Sequence, residues 1–384
     1  MANQKPADVV VAADGSGNYT TVNAAIAAAP SKSEKPFSIH IKRGLYNEFV
    51  VVPQDKPNIV LSGDGMDATV ISGSRCCADG FNTQDTAILS MFPPFYCSLL
   101  DVSHLCVKNT PGPRKDLGQA VAFLSDADHS VLYRCALQSY QDTLYCRGRF
   151  SRQFFRECKI AGTVDFIFGE AAAVFQNCNI LARLPILGQQ NTITAQGRGS
   201  AGEKGGFCFQ SCTVAADEDL AAQGKGVQTF LGRPWKLFSR VVFVESILSE
   251  VIDPLGWLPW ESQEPPDSIF YAEFDNKGAG AATGGRVKWR GFHGDLDASQ
   301  ASEFTVDRFI DAEQHATQLL AAVAATGCIV HASRLLELDA GIFHSLAPPF
   351  IPRSRQTPSS SPAPLRPCRS AACGHLRSGH SSSN

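Results

Sequence analysis

Two aspartates near the middle of the chain stand in matching surroundings. Asp142 follows Cys135 by seven residues, and Asp165 follows Cys158 by the same seven. They lie 23 residues apart, and Gln119 lies another 23 upstream of Asp142. Two carboxylates held side by side cannot both ionise cheaply. One pKa rises, which leaves an acid beside a nucleophile or base near neutral pH. Gln141 and Gln119 add amide N–H donors, which suit the oxyanion that develops in acyl transfer. Further on, Arg233 is held between Gly232 and Pro234, in a stiff, non-helical stretch. Its guanidinium can keep a carboxylate ionised and fix its orientation. Trp235 beside it offers a flat face on which a sugar ring can stack. Plainer settings exist for the same residues: aspartates in solvated turns, and an arginine in a loop ion pair next to a core tryptophan.

The spacing has a structural source. Five segments align, VLYRCAL (Val131–Leu137), FFRECKI (Phe154–Ile160), VFQNCNI (Val174–Ile180), CFQSCTV (Cys208–Val214) and VFVESIL (Val242–Leu248). Each carries Cys or Ser fifth and an aliphatic residue seventh. The fifth positions, Cys135, Cys158, Cys178, Cys212 and Ser246, are separated by 23, 20, 34 and 34 residues. Short β-forming segments recurring without helical sequence between them predict a parallel β-helix, in which each coil buries its apolar face only against its neighbours. The small cysteines then stack in a buried column, and the longer spacings mark coils with a protruding loop. A β-sandwich with fortuitous cysteines is the alternative. With coils about 4.8 Å apart and in register, Gln119, Asp142 and Asp165 are expected to line up on one face.

Around this core the sequence predicts strands at Asp8–Ala12, Phe37–Ile41, Phe49–Val52, Ile59–Leu61 and Thr69–Ile71. An Ala-rich helix is expected over Val22–Ala29, with Thr21 as N-cap and Pro30 after its end. The β-rich pattern runs to about Ile310. Three parts are expected: a β-helix over 8–311, a helix-compatible segment over 312–351, and a Ser/Pro/Arg-rich disordered tail over 352–384.

Composition narrows the function. The 384 residues are 44% hydrophobic and 18% charged with a net charge of −3, which argues against binding nucleic acid through a basic surface. No apolar run approaches a bilayer span. The opening residues MANQKPADVV lack the pattern of a secretory leader. Thirteen cysteines leave at least one without an intrachain partner, and no CxxC or zinc spacing is present. Gly63–Ala68 fits a dinucleotide-loop pattern, but it leads into strand-like sequence instead of a helix and puts an Asp where a pyrophosphate would sit. There is no GxSxG nucleophile elbow. Asn18-Tyr19-Thr20 is a glycosylation sequon.

Several stretches together resemble plant pectin methylesterases. They are Gly44-Leu45-Tyr46-Asn47-Glu48, Gln119-Ala120-Val121-Ala122, Gln141-Asp142-Thr143-Leu144, Asp165-Phe166-Ile167-Phe168-Gly169 and Leu231-Gly232-Arg233-Pro234-Trp235. VVVAADGSGNYTTVNAAIAAAP, NTITAQGR and GAGAATGGRVKW support them, and the resemblance covers roughly residues 8–310. It implies a right-handed parallel β-helix and hydrolysis of methyl esters on galacturonate units of pectin, with release of methanol. It places the nucleophile on Asp165, the general acid/base on Asp142, the oxyanion-stabilising amides on Gln119 and Gln141, and the orienting residue on Arg233. Substrate contacts fall on Thr83, Gln119, Tyr145, Phe168, Arg233 and Trp235. The resemblance implies no metal or cofactor, a monomer in the plant cell wall, and a proteinaceous pectinesterase inhibitor as a further partner. Membrane and nucleic-acid partners are not expected.

Other readings remain open at this stage. A pectin-active glycosidase or calcium-dependent lyase, or a catalytically impaired pectin-binding homologue, would share the scaffold. The stretches Ser90–Val107 and Cys146–Ser151 are longer than the family pattern, and the sequence after Ile310 departs from it. The second insertion lies between Asp142 and Asp165 and is expected to bulge outward, because both Cys-to-Asp offsets stay at seven.

Overall fold

A computed structural model describes residues 6–92, 100–261 and 264–311. The expectations for 312–351 and 352–384 lie outside the described residues, as does part of the insertion at 90–107. Among the described residues the strands form three parallel sheets of eleven, eight and seven strands. The chain visits them in turn, one strand of each per coil. Strand Ser130–Tyr133 belongs to the long sheet, Ala136–Gln138 to the eight-stranded sheet and Leu144–Cys146 to the seven-stranded sheet. The next coil repeats the circuit with Arg152–Arg156, Lys159–Gly162 and Ile167–Gly169. This is a right-handed parallel β-helix, the hand that parallel crossover connections almost always take. No described helix is long and apolar enough to cross a membrane.

The repeat reads differently from a single strand with a central cysteine. In each aligned segment the chain turns a corner. Arg134, Glu157, Asn177, Ser211 and Glu245 all have φ between 49° and 54°, and the residue after each is the Cys or Ser of the repeat. That residue points into the corner and donates to a carbonyl of the preceding coil. Cys135 Sγ reaches the oxygen of Val102 at 3.4 Å, Cys158 that of Leu132 at 3.4 Å, Cys178 that of Phe155 at 3.5 Å and Cys212 that of Phe175 at 3.3 Å. Ser246 Oγ makes the same bond to Phe209 at 3.2 Å. The column therefore ties coils together by hydrogen bonds as well as by packing. Beside it Phe155, Phe175, Phe209 and Phe243 stack with ring centroids 4.4–4.7 Å apart, and each ring comes from the same position of successive coils.

Both ends of the solenoid are closed. Helix Val22–Ala28 buries Val22, Ala25 and Ile26 in the first coils. The Thr21 side chain accepts from Ala24 N–H, and the Glu48 carboxylate accepts from the N–H groups of Val22 and Asn23. At the other end Trp257 and Tyr271 extend the aromatic stack. Beside them Arg286 and Glu273, each nearly inaccessible to solvent, form a bidentate pair at 2.7 and 2.9 Å. Residues 298–310 fold back over the outer face of the long sheet, where Phe304, Val306 and Ile310 pack on Val242, Val244 and Ala272.

Candidate active site

The eight- and seven-stranded sheets meet at a corner, and both aspartates occupy it. Asp142 lies between Ala136–Gln138 and Leu144–Cys146; Asp165 lies between Lys159–Gly162 and Ile167–Gly169. Leu144 pairs with Ile167 and Tyr145 with Phe168, so the aspartates hold equivalent places on adjacent coils. Both have left-handed backbones, with φ of 63° and 50°, a region Asp tolerates better than most residues. The turn between them, Cys146–Ser151, closes through Ser151 N–H to the Gly148 carbonyl and leaves Phe150 70% exposed. Its extra residues stand out from the coil, and the strand register across the two corners is undisturbed.

The two carboxyls differ sharply in their partners. Asp165 is gripped by Arg233, with Nε donating to Oδ1 at 2.8 Å and Nη2 to Oδ2 at 2.6 Å. Thr192 Oγ1 donates to the same Oδ1 at 2.7 Å and accepts from Asp165 N–H at 2.8 Å. Asp142 is equally buried but carries no such clamp. Burial, and then the negative charge of Asp165, push its carboxyl well above the usual carboxylate range, with Arg233 pulling weakly the other way. The Arg233 guanidinium resists deprotonation: burial opposes its charge most, but the bond to Asp165 and the charges of Asp165, Asp142 and Glu261 together outweigh that. An unclamped carboxyl biased towards its protonated form thus stands one rung from one clamped by a guanidinium, the division of roles that paired carboxyls need for acid–base and nucleophilic work.

Gln119 and Gln141 are both half-buried at this corner. Neither amide is bonded to another described side chain, so their N–H groups remain available. The expected alignment of Gln119 with the aspartates needs correction. Phe123 pairs with Leu144, which sets Asp142 opposite Val121, not Gln119. Ala120 N–H meanwhile bonds to the Gln141 carbonyl. The coil gains a residue at Ala120–Ala122, and this shifts Gln119 alongside Gln141. Backbone bonds hold it there: Cys77 N–H donates to the Gln119 carbonyl, and Ser139 Oγ donates to that of Ala120 at 2.6 Å. Thr83 lies in the adjoining turn, its Oγ1 3.8 Å from Cys77 Sγ.

One outward column of the seven-stranded sheet runs Leu124, Tyr145, Phe168, Ala195, Arg233. Tyr145 and Phe168 stack at 4.3 Å, and Trp235 meets the Phe168 edge at 6.3 Å. Burial and then nearby Glu170 push the Tyr145 hydroxyl up to about 12, so it stays a neutral donor. From the end of the strand Thr229–Gly232, Arg233 reaches back to Asp165. All nine sequence-predicted residues therefore belong to one surface region, with Thr83 at its edge. Two further residues belong to it. Thr192 holds the position of Asp165 on the next coil, and Trp260 stacks over the Arg233 guanidinium at 4.5 Å.

A family model described as Pectinesterase matches residues 8–313. The chain belongs to the pectinesterase family. It is 48% identical over 312 residues to an Arabidopsis thaliana protein named probable pectinesterase/pectinesterase inhibitor 42, covering 81% of this chain and 58% of that one. A pectin methylesterase structure from carrot is 42% identical with a TM-score of 0.76, covering 82% of this chain and 96% of that chain. A third pectinesterase-like neighbour, solved as a mutant pectin methylesterase in complex with a hexasaccharide, is 26% identical with a TM-score of 0.65. It covers 79% of this chain and 97% of that chain. This pectinesterase-family chain spans 58–61% of the length of the first curated relatives it matches.

Proposed function

We propose that the protein is a pectin methylesterase: it hydrolyses methyl esters on galacturonate units of homogalacturonan and releases methanol. The observation that carries the reading is the asymmetric carboxyl pair, with Asp165 clamped by Arg233 and Asp142, buried and unclamped one coil away, pushed by burial and by Asp165 towards its protonated form. Asp165 attacks the ester carbonyl carbon, and its carbonyl oxygen takes up negative charge. Gln119 and Gln141 amides donate to that oxyanion. The adduct collapses by breaking the bond to the methoxy oxygen, which receives the proton of Asp142 and leaves as methanol. Asp142, now a carboxylate, removes a proton from water as the water attacks the anhydride. The free galacturonate acid and the starting state of both aspartates are restored. Tyr145, Phe168 and Trp235 supply ring faces for sugar units, and Thr83 borders the same groove.

The free amides argue against the neighbouring chemistries. A glycosidase needs two carboxyls flanking a glycosidic oxygen and has no use for a pair of oxyanion donors, and a lyase wants several carboxylates around calcium. The catalytic unit is assigned to residues 8–311, acting as a monomer without metal or cofactor. Action on the plant cell wall follows from the proposed substrate. The names of relatives such as the Arabidopsis protein pair pectinesterase with pectinesterase inhibitor, which supports an inhibitor of that class as a partner. Incubation with highly methylated homogalacturonan tests the reading. Methanol should appear with no shortening of the chains and no unsaturated ends. Chain shortening or unsaturated product without methanol would overturn it.

A further inference from the structure

The sequon Asn18-Tyr19-Thr20 has no part in the esterase corner. It lies in the turn that follows strand Val9–Val11, the outermost strand of the eleven-stranded sheet. One edge of that strand pairs with Phe37–Ile41, and the turn runs back along the other. Asn18 N–H donates to the Val10 carbonyl, and Val10 N–H donates to Asn18 Oδ1, both at 2.7 Å. Ala12 N–H donates to the Tyr19 carbonyl at 2.9 Å. Gly17 permits this approach, because a Cβ there would stand 2.6 Å from the Val10 oxygen. Half-buried Tyr19 packs on the core, and its neighbours Asn18 and Thr20 are exposed.

The fold uses the Asn18 side chain only through its oxygen. Among the described residues, neither Asn18 Nδ2 nor the Thr20 hydroxyl has a hydrogen-bond partner. An aspartate would accept from Val10 N–H as well. The two groups that the fold leaves idle, an amide nitrogen and a hydroxyl two residues on, are the two that attachment of an N-linked sugar requires. The attachment exchanges one of two Nδ2 hydrogens and leaves Oδ1 an acceptor, so the bond from Val10 survives it.

We infer that Asn18 carries an N-linked glycan, and that this glycan guards the first edge of the long sheet. The donor is a polyisoprenyl-diphosphate oligosaccharide. Nδ2 bonds to C1 of its first N-acetylglucosamine, the C1–O bond breaks, the diphosphate leaves with the electron pair, and Nδ2 gives up one proton. Action on the plant cell wall, proposed above, takes the chain through the secretory compartment where that transfer occurs. A strand edge is a template for a second chain, and here one turn blocks it. A bulky sugar on the turn keeps another molecule from displacing it. Strand Ser130–Tyr133, which opens the coil of Asp142, lies four strands further along the sheet, about 19 Å at the usual strand spacing. The glycan therefore leaves the esterase corner free.

The full chain, sent behind a cleavable leader through a secretory host that makes oligomannose glycans, tests the inference. Peptide mass analysis should find the glycan on Asn18 in most secreted molecules. An endoglycosidase that cuts between the two core N-acetylglucosamines should act on the native protein and leave one of them on Asn18, because the residue is exposed. Thr20→Ala and Asn18→Asp should each abolish the modification. Thr20→Ala keeps Asn18 itself, and Asn18→Asp keeps an acceptor for Val10 N–H, so both should be secreted folded. On heating, both should scatter light at a lower temperature than the wild type. Unmodified Asn18 in folded, secreted wild type, a glycan that persists in both variants, or release that needs denaturation would overturn the site. Equal scattering by the wild type and both variants would overturn the guarding role. Methanol release from the same samples is scored separately. A glycosylated protein that releases no methanol sinks the esterase reading alone, and methanol from a protein bare at Asn18 sinks the glycan alone.

Discussion

Arg233 holds both oxygens of Asp165 from 68 residues away, at 2.8 and 2.6 Å. The contact spans two coils of the solenoid. A planar fork matched to a carboxylate gives geometry as well as charge, and a lysine supplies only the charge. Arg233→Lys should therefore lower kcat about 10²-fold or more while moving KM much less. Steady-state methanol release from one pectin preparation measures the split.

The raised pKa of Asp142 gives two pH dependences. For activity, the proposed mechanism needs the proton on Asp142 when methanol leaves, so the rate should fall as pH rises through its folded value. For stability, its folded value lies above the unfolded value near 3.8, so its contribution favours the fold below about pH 4 and is lost as pH rises towards the folded value. Asp142→Asn removes a buried group that is ionised in the unfolded state. The variant should be more stable than the wild type at pH 7, equal to it near pH 3, and nearly inactive. Thermal denaturation at the two pH values checks the sign.

The cysteine column leads to a forecast about chemistry, not size. Ser246 already occupies one rung and makes the bond that its cysteine counterparts make. Cys158→Ser should keep the bond and lose about 1 kcal/mol at most. Cys158→Leu adds bulk to a corner with no room and should lose about 1–3 kcal/mol. Urea unfolding of both variants distinguishes the hydrogen-bond role from simple filling.

At the closing end of the solenoid, Arg286→Met leaves Glu273 buried without its cation. Removing one partner of such a pair typically costs about 3–5 kcal/mol. Because the pair sits with Trp257 beyond the catalytic coils, the melting temperature should fall while kcat at low temperature stays near the wild-type value.

Much of this was legible in the sequence, for identifiable reasons. The Cys-to-Asp offset of seven located Asp142 and Asp165 because both corners have equal length. The same ruler fails at the next coil. Cys178 plus seven is Pro185, whereas the equivalent residue is Thr192, since the loop over 183–190 adds seven positions. It also drifts at Gln119, where one extra residue between Ala120 and Ala122 breaks the count. The helix at Val22–Ala28 was readable from its cap and its proline. The corner geometry of the repeat was not, because a left-handed residue such as Arg134 or Glu157 leaves no glycine to mark it. Trp260 was invisible for a different reason: its place over Arg233 arises only when separate coils pack.

The most direct measurement compares methanol release by the wild type and Asp165→Asn, each shown by circular dichroism and melting to keep the β-helix. Loss of the proposed nucleophile should reduce the rate by about 10⁴-fold or more. A folded Asp165→Asn protein that retains more than about a tenth of the wild-type rate would mean that Asp165 does not attack the ester, and that the clamp by Arg233 serves another purpose.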